Sequence, residues 1–275
     1  MSADKTAPDA VAGVTEYATS ADGTRIAFER AGKGPVVVLV DGAMVYREFG
    51  GGRATIEALR DRYTVVIYDR RGRGESGNTL PYAPEREIED LRAVIAAVGG
   101  DVVVLGQSSG AALAFRAAAA GVPMRAVIGY EAPYVGGSRK GGGDHFTAEL
   151  DRRIADGKPG KAIDYFMTTM VGGPWFMPVM MRSMPKVWKQ LLAVAPTLPY
   201  DSKVMDGFRV PHAEFGRITV PALVVVGGKA KPDMEAAELE VADAIPGAER
   251  VILEGQTHQV DPVVLGGALD DFLRA

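Results

Sequence analysis

The chain has 275 residues, 47% of them hydrophobic and 24% charged, with a net charge of −4 and no cysteine. That length fits one large α/β domain or a core with a modest insertion, and the apolar content is ample for a buried core. A slightly acidic balance without a long basic run points away from nucleic acid, and the absence of cysteine excludes disulfides and thiolate metal sites.

The opening, Met1-Ser-Ala-Asp-Lys-Thr-Ala-Pro8, is polar and lacks the apolar stretch of a signal peptide. No later run reaches the roughly 20 apolar residues of a spanning helix, so the cytoplasm is the expected compartment and a membrane is not an expected partner. Residues 14–19 and 24–30 alternate around Asp22-Gly23, the pattern of an antiparallel hairpin. Short runs follow at 36–40, 64–69, 102–105, 126–131, 223–227 and 251–253. They are rich in β-branched residues and do not alternate, as expected of parallel strands covered on both faces. Pro84-Glu85 opens a helix whose Ile88, Leu91, Val94, Ile95 and Val98 form an apolar stripe. Pro232 starts another, and the last runs over 262–273. The fold class is therefore α/β, a doubly wound and mostly parallel sheet.

Residues 136–212 break this rhythm with Gly141-Gly-Gly143, Gly172-Gly-Pro174 and a concentration of Met, Phe and Trp. We expect a core of 1–135 and 213–275 and an inserted helical cap over 136–212. Its side chains pack the insertion onto the core. Flexible methionines at a cap also suit an apolar substrate pocket, for which Met44, Met167, Met170, Trp175 and Phe176 are the candidates.

Gly106-Gln107-Ser108-Ser109-Gly110 lies between the run at 102–105 and the Ala-rich stretch 111–120. A G-x-S-x-G sequence between strand and helix makes a nucleophile elbow, whose strained serine needs small neighbours two positions either side. Ser108 would stand at the carboxyl edge of the sheet, and the Ser109 N–H, opening a helix, would point where an oxyanion forms. A serine nucleophile needs a base. Of three histidines, His258 follows the last strand in Leu253-Glu-Gly-Gln-Thr-His258, where a loop can reach back over the sheet edge. His145 and His212 lie in or beside the insertion with no strand to present them.

These features resemble the α/β-hydrolase superfamily over nearly the whole chain. They comprise the N-terminal hairpin, Asp69-Arg-Arg-Gly72-Arg-Gly74-Glu-Ser76 after the fourth strand, the 106–110 elbow, Pro221-Ala-Leu-Val-Val-Val-Gly-Gly228 and Gly255-Gln-Thr-His258. In detail the chain is similar to small actinomycete-type hydrolases. The resemblance implies Ser108 as nucleophile and His258 as base. Two positions depart from it. The loop after the third strand, usually His-Gly, reads Asp41-Gly42-Ala43-Met44. By position the Ala43 N–H is the second oxyanion donor beside that of Ser109. A carboxylate at 41 opposes an oxyanion unless it turns inward to hydrogen-bond the loop, which is the role expected of Asp41.

The acid that orients the histidine usually follows the seventh strand, but that segment reads Gly227-Gly-Lys-Ala230-Lys-Pro-Asp233, with alanine at the expected place. Asp233 is one candidate, although a helix N-terminus also accounts for an aspartate there. Glu131 is the other and the preferred one, at the end of Ala126-Val-Ile-Gly-Tyr-Glu131. There the chain is similar to haloalkane dehalogenases that place the acid after strand six. Its plainer role is to cap the loop or bond a backbone amide. With neither acid, the enzyme would be slower by on the order of 10⁴.

Arg70 to Arg73 read as a structural turn and Lys229 and Lys231 as solvated charges. The histidines are too dispersed for a metal site and no P-loop appears, so neither metal nor cofactor is expected. The expected function is a serine hydrolase acting on a small, largely apolar ester, thioester or lactone. The alternatives are a lyase, cyclase or cofactor-free oxygenase using His258 as base, and a non-catalytic protein that binds a small ligand.

Overall fold

The computed structural model describes residues 13–136 and 143–274. The polar opening 1–8, Gly141 and Gly142 lie outside the described residues. Eight strands, β1 (Glu16–Thr19), β2 (Arg25–Gly32), β3 (Val36–Val40), β4 (Thr64–Tyr68), β5 (Val102–Gln107), β6 (Ala126–Tyr130), β7 (Ala222–Gly227) and β8 (Glu249–Leu253), form one sheet. Their spatial order is β1-β2-β4-β3-β5-β6-β7-β8. The β1–β2 hairpin turns at Asp22-Gly23, β2 pairs antiparallel with β4, and every later pair is parallel.

The helices in chain order are α1 (Gly52–Leu59), α2 (Pro84–Ala97), α3 (Ser109–Ala119), α4 (Asp144–Ala155), α5 (Pro159–Tyr165), α6 (Met177–Arg182), α7 (Pro185–Val194), α8 (Leu198–Val204), α9 (His212–Phe215), α10 (Pro232–Ala244) and α11 (Pro262–Arg274). The short α1 is an element that the sequence pattern does not announce. Strand side chains alternate between two cores, as the period of two requires. Val38, Val40, Val66, Val102, Val104 and Val224 meet α2, α3 and α10. Val37, Leu39, Val65, Ile67, Val103, Leu105 and Val225 meet Ile56 and Leu59 of α1 and Leu265 and Leu269 of α11. Helices α4 to α9 connect β6 to β7 and extend the first core with Phe146, Leu150, Leu191 and Val194. Proline at the first turn opens α5, α7 and α8, where its missing N–H leaves no helical bond unmade. Among the described residues no helix is long and apolar enough to cross a membrane.

The turn after β4 is held by buried charge. Arg70 forks onto Glu87 at 2.6 and 2.9 Å, and Arg71 onto Asp90 at 2.7 Å through both nitrogens. Asp69 accepts the N–H groups of Arg47 and Glu75, each at 2.8 Å. Beside this turn Asp41 is buried and faces inward, toward Gly52 at the start of α1. No hydrogen bond to the loop reaches its carboxylate among the described residues, so the inward orientation is as expected but the loop hydrogen bond is not made.

Both the close approach at the elbow and the burial of Asp41 can be tested by stability. A β-carbon at Gly110 would collide with the carbonyl oxygen of Val40, a backbone atom that cannot swing aside. Gly110→Ala should therefore cost at least about 2 kcal/mol in urea denaturation. Burial, only partly offset by Arg73 and Arg70, pushes the Asp41 carboxyl from 3.8 up to about 6. A group raised in the folded state favours its protonated form there, so stability falls as pH rises between those two values. Asp41→Asn, neutral throughout, should be more stable than the wild type at pH 8 by on the order of 2 kcal/mol, the gap closing toward pH 4. Parallel stability curves for the two proteins would contradict this.

Candidate active site

β5 ends against its neighbours and the chain reverses at Ser108, which takes φ 55° and ψ −128°. A non-glycine residue stays in that region only where its surroundings hold it. Here its N–H donates to the Tyr130 carbonyl at 2.8 Å, and its own carbonyl accepts from Ala111 at 2.9 Å. A β-carbon at Gly106 would stand 2.5 Å from Ala111 Cα, and one at Gly42 would stand 2.9 Å from Ser108 Cβ. Glycine at 106, 110 and 42 is thus what lets strand, helix and the loop after β3 converge on the serine. The N–H groups of Ala43 and Ser109 have no hydrogen-bond partner among the described residues, and both residues line the cavity that Ser108 enters.

His258 lies in the loop after β8, whose path is tied to the neighbouring strand ends. Tyr130 Oη donates to the Thr257 carbonyl at 2.5 Å, and the Lys229 N–H donates to that of Gln256 at 2.9 Å. Glu131 follows β6 directly at φ 48° and is buried. Its Oε1 accepts the Gly227 N–H at 3.0 Å, and its Oε2 stands 2.6 Å from His258 Nδ1. With Nδ1 taken by the carboxylate, Nε2 is the ring atom left for the cavity. Asp233, the other candidate acid, sits in the first turn of α10 and accepts the Met234 N–H at 3.0 Å. The structure thus sets Glu131, and not Asp233, against the His258 ring.

Behind this pair lies Glu238 of α10, fully buried. Burial first and the nearby Glu131 second hold its carboxyl well above the usual range, and the Ala132 amide and Arg250 offset only part of this. His145 is exposed on α4, and His212 Nε2 pairs with Glu240 at 2.9 Å on the surface.

The cavity, of about 310 Å³, brings together Ser108, Ser109, Glu131, His258 and Ala43 beneath an apolar wall that includes Phe166, Met170, Met205 and Phe208. Of the five residues expected to line a pocket, only Met170 does, carried on a single π-helical turn over Phe166–Met170. Met44 and Met167 point instead into the core shared with α2 and α3. Trp175 and Phe176 are 78% and 51% exposed, because the Gly172–Pro174 turn carries the chain past the cavity to the outer surface. Three charged residues also reach the cavity wall, where the sequence pattern does not place them: Lys229 and Lys231, exposed at its edge, and the buried Asp201 of α8. Asp201 accepts from Arg70 at 2.7 Å, from Arg73 at 2.8 Å and from Ser109 Oγ at 2.8 Å. No local sequence signal identifies it, since its partners lie far away in the chain.

Known proteins share this architecture. An alpha/beta hydrolase from Sphaerobacter thermophilus is 46% identical, with a TM-score of 0.86 over 94% of this chain and 100% of that one. N-formylmaleamate deformylase of Pseudomonas putida is 36% identical over 126 residues, 44% of this chain and 46% of that protein. A proline iminopeptidase of Pestalotiopsis fici is 31% identical over 101 residues, 34% of this chain and 35% of that protein. The chain thus spans less than half the length of these two curated relatives. The model of the alpha/beta hydrolase family matches residues 20–272. With the elbow at the end of β5 and this sheet order, the chain belongs to the alpha/beta hydrolase family.

Proposed function

We propose that this chain is a serine hydrolase that cleaves a small, largely apolar ester, thioester or lactone through an acyl-enzyme. The observation that carries the reading is the 2.6 Å contact between Glu131 and His258 Nδ1, beside a serine held at a strained elbow in the same cavity. Ser108 Oγ attacks the carbonyl carbon while His258 Nε2 takes its proton. The carbonyl oxygen becomes the oxyanion and is met by the N–H groups of Ala43 and Ser109. Collapse expels the alkoxide or thiolate, which leaves with the proton from His258. Water then gives its proton to His258, adds to the acyl carbon, and releases the acid and Ser108. Glu131 holds the ring's orientation and stabilises the imidazolium. Ser108 and His258 share no hydrogen bond among the described residues, and their contact tightens as substrate binds.

In this reading the helices between β6 and β7 act as a cap over a small-molecule substrate, and Phe166, Met170, Met205 and Phe208 favour its apolar part. The non-hydrolytic alternatives rest on Asp41 and Ala230. With Asp41 turned inward and Glu131 on the ring, neither residue favours them.

Intact-mass labelling with a fluorophosphonate tests this proposal. The wild type should take one label, and Ser108→Ala and His258→Ala none. Glu131→Gln should label more slowly by a factor of about 10²–10⁴, and Asp233→Asn should stay within a few-fold of wild type. Ester turnover that survives unchanged in both Ser108→Ala and Glu131→Gln would overturn the mechanism.

A further inference from the structure

Arg73 lies in the buried charge cluster and makes five hydrogen bonds, as many as its guanidinium has N–H donors. Its Nη2 bonds both oxygens of Asp201 at 2.8 Å, and its Nε donates to Thr197 Oγ1 at 3.1 Å. Its Nη1 donates to the Gly42 carbonyl at 2.6 Å and to that of Val45 at 3.2 Å. Arg70 reaches the Asp41 carbonyl at 3.3 Å in the same way. The Gly42 carbonyl and the Ala43 N–H belong to one peptide plane, and in a trans peptide they point in opposite directions. An arginine that grips the carbonyl from the buried side therefore turns the N–H toward the other side, where Ala43 lines the cavity. The other oxyanion donor, Ser109, is tied to the same carboxylate through its hydroxyl.

Resting on the serine-hydrolase reading, we propose that Arg73 and Asp201 are positioning residues for the oxyanion site. Asp201 orients Arg73, and Arg73 locks the Gly42–Ala43 peptide with its N–H directed at the reacting carbonyl. Asp201 belongs to α8, in the segment between β6 and β7, whereas Gly42 and Ser109 belong to the core. The donor geometry of the core is thus set by a carboxylate from the helices that cover it. Charge alone does not suffice for this. The flat guanidinium reaches Asp201 on one edge and Gly42 on another, a span that a single ammonium cannot make.

The test uses p-nitrophenyl butyrate turnover and inhibition by butaneboronic acid, whose tetrahedral adduct needs the oxyanion donors. The full-length wild type, Ser108→Ala, Arg73→Lys and Asp201→Asn are compared, with thermal midpoints measured for each. Loss of one oxyanion donor costs about 10²–10³ in kcat, so a misaligned one should lower kcat by about 10–10². KM should move less than threefold, and the boronate Ki should rise in step with the lost kcat. Arg73→Lys keeps the charge beside Asp201, so it should recover most of the thermal midpoint but not the rate. If Asp201→Asn fails to fold, Arg73→Lys decides. Ser108-dependent turnover in the wild type together with an unchanged kcat in Arg73→Lys would overturn the proposal and leave the hydrolase reading intact. A folded wild type with no Ser108-dependent turnover would remove that reading, and this proposal with it.

Discussion

The loop after β3 and the elbow after β5 approach each other until no side chain fits between them. Gly110 backs onto the carbonyl of Val40, and Gly42 onto the side chain of Ser108. This contact between two neighbouring parallel strands fixes where everything else in the cavity stands. It places the amides of Ala43 and Ser109 on one side of the serine. It also leaves the opposite side open for a residue presented from the far strands. The ends of β6 and β8 supply that residue pair, with the edge of β7 between them contributing the Gly227 amide that steadies Glu131.

The polar groups packed beneath that contact are costly to bury. Several kcal/mol of solvation are lost for each ion taken from water, and the pairing recovers this only with good geometry. Asp201 shows how the balance is struck. Burial alone would raise its carboxyl, yet Arg73, Arg70 and the Ser109 hydroxyl together hold it below the ordinary aspartate value. Its ionised form is thus favoured in the folded state, a contribution present above the ordinary aspartate range and lost only in stronger acid. Such a cluster adds little net stability over an apolar core of the same volume, but it admits few alternative arrangements. Here the consequence is a backbone loop with a defined orientation at the site.

Patterns carried by neighbours in the chain are legible in the sequence alone. The strand runs, the stripe on α2, the elbow glycines and the hairpin are all local. Glu131 is legible for a related reason, since a residue directly after a buried strand must sit at the sheet edge beside the next strand's end. The charge cluster is not legible in this way. Arg73 and Asp201 lie 128 residues apart, and the arginines after β4 read from sequence only as part of a turn. The fold alone shows that carboxylates from α2 and α8 come to meet them. The pocket lining fails for the complementary reason. Met44, Met167, Met170, Trp175 and Phe176 are chemically interchangeable as pocket residues, and the path of the chain, such as the turn at Gly172, decides which of them face inward.

Taking the carboxylate from β6 has a consequence for how this site can diversify. The loop after β7 meets its surroundings through backbone groups, the Lys229 N–H on Gln256 and the Ala230 N–H on Gly227. Lys229, Ala230 and Lys231, meanwhile, line the cavity. In that short stretch, the bonds that hold the loop and the residues that line the cavity are separable, because the bonds are made by main-chain groups that nearly any residue carries. Drift at these three positions reshapes one wall of the cavity while the partnership of Glu131 with His258 passes unchanged to the next variant.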